Sequence, residues 1–206
     1  MKMPDGIKIT CSLDQYLSYQ EDEQRRFYVM DEIDKDDGCD VLDITNSIAD
    51  INREDKDIPV EERKPIYLYI SSEGGRVDQG FALVAAIELS KTPVYTISFG
   101  QCASMAFLLA IAGHKRFALP YTQFLMHDGW SGASDSVNKL VDYGEFLKRW
   151  KEEVKKPYVL KHSKMTEEKY ESIKRAEFYM LPEDAMKYGF IDEIITDLNS
   201  FEKQAG

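Results

Sequence analysis

The sequence predicts an α/β fold with a mainly parallel sheet and helices packed on it. Two segments rich in β-branched and aromatic residues, 66–70 and 93–99, have the composition of strands, and each precedes an apolar run of helical character, 81–89 and 105–112. Strand and helix in succession imply right-handed crossovers between parallel strands. The 206 residues suit one domain, and a chain of this length buries a core without disulfides or metal ions.

The first third of the chain contains an arm, a strand, a helix and a loop. Residues 1–25 are polar and irregular, so we expect a mobile N-terminal arm, with residues 26–206 as the single domain. A short strand is predicted at 26–30. The segment 52–65 carries nine charges and two prolines, which predicts a surface loop. Between them, apolar residues recur at steps of three, four and three and predict an amphipathic helix: Val41, Ile44, Ile48 and Ile51.

The last third of the chain is mainly helical. Apolar residues at helical spacing over 137–154 predict a long charged helix, which Pro157 should end or kink. Because this helix would protrude from a compact domain, it is a candidate assembly surface. Shorter helices are predicted at 166–173 and at 182–189, the latter with proline at its start and glycine past its end. A terminal strand is predicted at 190–195.

Composition and charge argue against several kinds of partner. The 26 basic and 37 acidic residues give a net charge of −11, which disfavours nucleic acid and anionic membranes. Cys11, Cys39 and Cys102 lack the spacing of a disulfide framework or a zinc site, so no metal or cofactor is expected. The N-terminus lacks a signal-peptide apolar region, and the longest apolar run, 102–113, is too short for a bilayer. We expect a soluble protein of the reducing cytoplasm.

Ser104 lies between an apolar strand and an apolar helix, where it has a possible catalytic role. Near a helix N-terminus, unpaired backbone N–H groups and the helix dipole favour developing negative charge. A nucleophile at this point could use the N–H of Met105 as an oxyanion donor. The alternative is that Ser104 is a helix N-cap or a small core residue.

Two other segments carry candidate site residues. Gly74 and Gly75 follow a strand, where paired glycines either turn N–H groups toward a reacting atom or form a plain tight turn. His127 ends a short strand predicted at 123–127, and it is either a general base or a structural residue. His114 and His162 lie in polar surroundings and are treated as surface residues.

Four blocks occur in order at compatible spacings: YLYISSEGG, GQCASMAFLLAIAG, KRFALPYTQFLMHD and PEDAMKYGFIDEII. Together they resemble the proteolytic subunit of Clp protease, a family of serine peptidases in the crotonase-like superfamily. The resemblance covers 66–195 well and 26–65 more loosely. It implies a crotonase-like α/β fold of repeated β-β-α units, with a protruding handle helix in the region of about 129–165.

The resemblance also implies roles for individual residues. The family's nucleophile falls on Ser104, its general base on His127, and two of its oxyanion donors on Gly75 and Met105. The third triad member falls on Glu177, where the family has aspartate. Glutamate keeps the carboxylate with a longer reach, and other serine hydrolases use it as the orienting acid. The alternative is that Glu177 is a surface carboxylate and no residue orients the base.

The resemblance implies partners as well. Members assemble into heptameric rings, often two stacked rings, and work with a hexameric unfolding ATPase, so any use of ATP would belong to that partner. The expected activity is serine endopeptidase cleavage of peptides or unfolded proteins inside the ring. Two alternatives stay open: a catalytically impaired ring subunit or adaptor, which Glu177 favours, and an acyl-CoA enzyme of the crotonase type.

Overall fold

The computed structural model describes residues 24–33, 41–129, 132 and 134–198. Most of the expected N-terminal arm and a few residues of the expected handle region lie outside them. In the described part of the chain, seven strands form one sheet. They are β1 (Arg26–Ile33), β2 (Ile66–Gly75), β3 (Val94–Ala103), β4 (Lys115–Ala118), β5 (Gln123–Met126), β6 (Phe178–Met180) and β7 (Glu193–Ile194).

The sheet is mainly parallel, as the sequence predicts. Its main path runs β1-β2-β3-β4-β7, and every neighbouring pair on that path is parallel. Strand β5 lies parallel to β3, and β6 adds to β5 in the antiparallel direction. This mixed α/β architecture agrees with the fold class that the sequence predicts.

Helices connect these strands. Helix bounds are α1 (Val41–Glu54), α2 (Val77–Leu89), α3 (Met105–Ala110), α4 (Val137–Trp150), α5 (Lys156–Lys161), α6 (Glu167–Ile173) and α7 (Pro182–Lys187). A π-helical turn, Lys151–Lys155, joins α4 to α5, and two 3-10 turns, Asp55–Asp57 and Val60–Glu62, follow α1. None of the helices in these described ranges combines the length and apolarity needed to cross a bilayer.

Several local predictions are confirmed. The four apolar residues of α1 that define its periodicity are all buried. The side chain of Thr166 accepts a hydrogen bond from the N–H of Lys169 and so caps α6. Pro182 begins α7, and Gly189 follows it with a positive φ of 73°. Capping and periodicity depend on residues a few positions apart, so both can be predicted from the sequence.

The predicted surface loop 52–65 is largely exposed, but residues 52–54 complete helix α1 and Asp55 is buried. Asp55 is 1% exposed. Both of its carboxylate oxygens accept hydrogen bonds from the guanidinium of Arg25 at 2.8 Å, and Thr92 Oγ1 donates to one of them at 2.9 Å. A charge this deeply buried needs a partner of opposite sign, and Arg25 provides it.

Pro157 does not end the predicted long helix. The backbone passes from α4 through the π turn into α5 with helical dihedral angles at Lys155 and Lys156. A proline inside a helix has no N–H and its ring clashes with the carbonyl of residue i−4, here Glu153. A widened turn just before it accommodates both defects.

One histidine is also wrongly assigned to the surface. The side chain of His162 is 15% exposed, and its Nε2 lies 2.7 Å from Glu88 Oε1. The ring packs against Tyr158, with 4.6 Å between centroids. His114 is exposed as expected, although its Nδ1 accepts a hydrogen bond from the N–H of Val94.

Gly100 divides β3 between two neighbours. Before it, residues 95–98 pair with β4, and after it, residues 101–103 pair with β5. Gly100 has φ 59°, and a Cβ there would lie 2.7 Å from Ser71 Oγ, so a side chain would be both strained and crowded. The bend carries the end of β3 toward β5 and delivers the chain to the wholly buried helix α3.

Candidate active site

Ser104 occupies a sharp turn between β3 and α3. Its φ of 55° and ψ of −119° are unusual for a residue with a side chain. The N–H of Ser104 donates to the carbonyl of Leu125 in β5 at 2.9 Å, which ties the turn to the neighbouring strand. Strained strand-to-helix turns of this kind expose a nucleophile at the edge of a sheet.

His127 follows the last residue of β5. Because Ala103 pairs with Leu125 in parallel register, the chain beyond β3 and the chain beyond β5 leave the sheet at the same edge. The imidazole is half-buried, and its Nε2 is a buried atom with no hydrogen-bond partner among the described residues. Burial lowers the pKa of His127 below its ordinary value, and the positive charge of Lys155 lowers it further. His127 is therefore a neutral imidazole over a wider pH range than a free histidine.

Gly74 and Gly75 close the site from the side of β2. They are the last two residues of that strand, with φ 105° and 140°, and they pair with Glu32 and Ile33 of β1. A Cβ on Gly74 would lie 2.7 Å from Ser104 Cβ and 2.9 Å from the nitrogen of Met105. The glycine pair is therefore not a plain turn at a distance from Ser104, because Gly74 is in contact with it.

The Ser72 hydroxyl organises the glycine pair. It donates to the carbonyl of Asp31 and accepts from the N–H of Gly74 at 3.1 Å. Sequence reasoning did not select Ser72, and it named Gly74 only as a member of the glycine pair, since the contacts of both residues are made between strands. The selected residue, Gly75, lies against β1, where a Cβ would overlap the carbonyl of Ile33.

Met105, the predicted oxyanion donor, is the first residue of α3. The first N–H groups of a helix have no acceptor within it. The Met105 side chain packs on α2 at Gly80, where a Cβ would lie 2.7 Å from its Sδ. Close approach of α2 to α3 thus fixes the residue that follows Ser104.

Glu177 lies beside His127 but bonds elsewhere. Met126 pairs with Phe178 in antiparallel register, so His127 and Glu177 are the next residues outward on neighbouring strands. The negative charge of Glu177 acts to raise the pKa of His127, against the larger lowering effect of burial. However, the carboxylate is exposed, and its Oε2 accepts a hydrogen bond of 2.7 Å from the hydroxyl of Tyr179.

Lys155 is a neighbour of the site that sequence reasoning missed. Its Nζ donates to the carbonyl oxygen of His127 at 2.6 Å across 28 residues of sequence. A lysine in a strongly charged helix gives no sign that it is buried.

Within the described ranges, no group of three or more His, Cys, Asp or Glu side chains could hold a metal ion.

A serine at a strained strand-to-helix turn, beside a strand-end histidine in a parallel sheet, is typical of α/β proteins that carry out acyl transfer. The family model described as Clp protease matches residues 43–198. The chain is also 32% identical over 143 residues to the ATP-dependent Clp protease proteolytic subunit of Streptococcus sanguinis (strain SK36), covering 68% of this chain and 72% of that protein. The chain belongs to the Clp protease family. Membership of this family supports the assignment of the chain as a Clp-type peptidase.

Proposed function

We propose that this chain is a serine endopeptidase that cleaves peptides or unfolded proteins, with Ser104 as nucleophile, His127 as general base and Glu177 as the orienting acid. The observation that carries the proposal is the parallel register of β3 and β5. It supports a site in which Ser104, tied to Leu125 by its backbone N–H, and His127 leave the sheet at the same edge, with Nε2 of His127 not bonded to any other described group.

The proposed reaction is acyl transfer through Ser104. Neutral His127 accepts the hydroxyl proton at Nε2 while Oγ of Ser104 forms a bond to the peptide carbonyl carbon. The N–H groups of Gly75 and Met105 stabilise the oxyanion, and each donor is worth about 10²–10³ in rate. The imidazolium then returns its proton to the departing amine as the peptide C–N bond breaks. Water, activated by the same imidazole, releases the acyl group and restores Ser104.

Reaction with a fluorophosphonate probe, followed by intact-mass analysis, tests the proposed nucleophile. We expect a single adduct on the wild type and none on Ser104→Ala. Ser172→Ala is a matched control, because Ser172 is exposed and its hydroxyl donates a local hydrogen bond to the carbonyl of Lys169. An adduct that persists in Ser104→Ala, or a folded wild type with no adduct, would refute the proposal.

We further propose that the chain works as a heptameric ring, in one or two stacked copies, and that any dependence on ATP comes from a hexameric unfolding ATPase. Support for assembly comes from α4, along which no residue is buried. Its apolar side chains include Val137 and Phe146, which are 76% and 57% exposed. Exposed apolar surface of this kind is typical of an interface between subunits. The proposed compartment is the cytoplasm.

A second candidate is a catalytically impaired ring subunit, and one contact favours it. The Glu177 carboxylate accepts a hydrogen bond from the hydroxyl of Tyr179, which competes with the Nδ1–H of His127 that an orienting acid would bind. Under this alternative the chain would serve as a subunit beside an active paralogue. Failure of the probe to react in an assembled ring, together with co-purification of a second similar subunit, would favour it over the endopeptidase.

A further inference from the structure

The π turn between α4 and α5 brings a lysine side chain into the protein beside His127. Lys155 is the last residue of that turn and is 9% exposed. Its Nζ lies 2.6 Å from the carbonyl oxygen of His127. π turns are rare, and they occur frequently at functional sites because they redirect one side chain of a helix.

The buried ammonium of Lys155 is not neutralised by a direct ion pair within the described residues. Asp128, the nearest acidic group along the chain from His127, pairs instead with Lys151 at 2.8 Å. Burying a cation against a single carbonyl destabilises the fold relative to an apolar side chain of similar size. A cost in stability at this position is consistent with a role in the site.

We propose that Lys155 is a positioning residue for His127, which fixes the main chain of the base through its carbonyl oxygen and places a positive charge beside the imidazole. The first effect is geometric. The carbonyl of His127 lies just past the last residue of β5, where strand pairing to β6 ends at Met126. A charge-assisted hydrogen bond there holds the backbone that carries the imidazole.

The second effect of Lys155 is electrostatic. The groups that act on His127 are Lys155, which lowers its pKa, and Glu177 and Asp128, which raise it. Burial lowers the pKa of Lys155 to about 8, with Asp128 opposing and Lys151 reinforcing that change. From α6, Tyr170 interacts with Asp128 but stays neutral, because burial raises its pKa to about 12. Lys155 is therefore a cation throughout the pH range in which His127 titrates.

This role fixes the direction of a pH effect. His127 accepts a proton from Ser104 only when it is neutral, so the reaction rate rises with pH through the pKa of His127. Removal of the positive charge raises that pKa. The acid limb of the rate profile then moves to higher pH, whereas a purely structural role of Lys155 would lower the rate at all pH values alike.

This role rests on the proposed function, in which His127 activates Ser104. The experiment therefore measures the rate constant for fluorophosphonate labelling of Ser104 from pH 5 to 9. The variants are Lys155→Met, Lys155→Gln and Lys155→Arg. Methionine removes both the charge and the donor, glutamine removes the charge alone, and arginine keeps both. Lys161→Met is the matched control, since Lys161 lies on α5, is 67% exposed and pairs with Glu88.

We expect the acid limb to move to higher pH in Lys155→Met and Lys155→Gln, and to stay in place in Lys155→Arg and Lys161→Met. Loss of the donor should also lower the plateau rate in Lys155→Met by about tenfold, because small displacements of a catalytic group are costly. An unchanged acid limb in a folded Lys155→Gln would overturn the inference. If Lys155→Met and Lys155→Gln do not fold, an acid limb displaced in Lys155→Arg would overturn it. A wild type that does not react at Ser104 would instead refute the proposed function.

Discussion

Gly74 lies in direct contact with Ser104. A Cβ on Gly74 would be 2.7 Å from Ser104 Cβ and 2.7 Å from the carbonyl oxygen of Ala103, distances at which no real Cβ packs. The backbone there also has φ 105°, which side chains rarely adopt. The strand that ends in the glycine pair is thus fitted to the turn that carries the proposed nucleophile.

The Gly74→Ala variant should lose labelling of Ser104 by at least about 100-fold, because the turn must move to admit the methyl group. Intact-mass kinetics with the fluorophosphonate probe measures the loss. Gly129→Ala is the matched control, since Gly129 has a comparable φ of 86° but no atom of the described residues within 4 Å of an added Cβ. It should cost only about 1 kcal/mol of strain. Equal labelling rates for Gly74→Ala and the wild type would contradict the close contact between Gly74 and Ser104.

The buried Arg25–Asp55 pair should make stability depend on pH. The hydrogen bond from Arg25, helped by Thr92, holds the pKa of Asp55 below its ordinary value despite burial. A carboxyl whose pKa is depressed in the folded state stabilises the fold above its unfolded pKa and loses that contribution as pH falls through the folded pKa. We expect the wild-type Tm to fall at pH values below about 4, the unfolded pKa of aspartate.

Asp55→Asn tests the same pair at neutral pH. It leaves Arg25 without its carboxylate and should lower the free energy of unfolding by about 3 kcal/mol, measured by urea denaturation. Asp50→Asn is the control, because Asp50 and Arg53 form an exposed pair with side chains 61% and 74% exposed. That substitution should change stability by less than about 0.5 kcal/mol. Equal effects of the two variants would show that Asp55 is not a buried partner of Arg25.

The Glu177 carboxylate should increase the rate at which Ser104 is labelled, and the Tyr179 hydroxyl should decrease that rate. If the carboxylate turns to His127 when a substrate binds, Glu177→Gln slows the reaction by up to about 10⁴. Tyr179→Phe removes the competing hydroxyl, which lies 2.7 Å from Glu177 Oε2, and should speed the reaction. Glu183→Gln, in the first turn of α7, is the charge-matched control. A Glu177→Gln variant as fast as the wild type would show that Glu177 is not the orienting acid.

A charge on the apolar surface of α4 should weaken assembly. Val141 is 53% exposed, and Val141→Glu would bury a carboxylate in any interface that covers this helix. We expect a smaller particle mass in light scattering than for the wild type. Asn138→Glu adds the same charge at an exposed polar position of the same helix and is the control. Identical masses for all three proteins would exclude α4 as the interface.

The parts of the fold that sequence predicts are those set by neighbouring residues. Helix α1 follows from the spacing of its buried apolar residues, and the start of α6 follows from the Thr166 cap. The alternation of strand and helix also predicts parallel pairing. Ser104 at a strand-to-helix turn and His127 at a strand end are where the sequence puts them.

The parts that sequence does not predict depend on partners far along the chain. Asp55 is buried because Arg25, 30 residues away, reaches it. Lys155 donates a hydrogen bond to the carbonyl of His127, 28 residues away, which allows its side chain to be buried. The sequence around Lys155 does not indicate the position of that carbonyl. The bond between Tyr179 and Glu177 was also beyond prediction, because it depends on side-chain rotamers on an edge strand.

The pairing of β6 with β5 has a consequence for biosynthesis. The chain emerges from the ribosome N-terminus first, so the proposed nucleophile and base appear well before β6, which begins 51 residues after His127. At 5–20 residues per second, that interval lasts roughly 2 to 10 seconds. Glu177 and Lys155 both arrive within it. A nascent chain therefore carries Ser104 and His127 before Lys155 and Glu177, the residues that we propose position the base, have been synthesised.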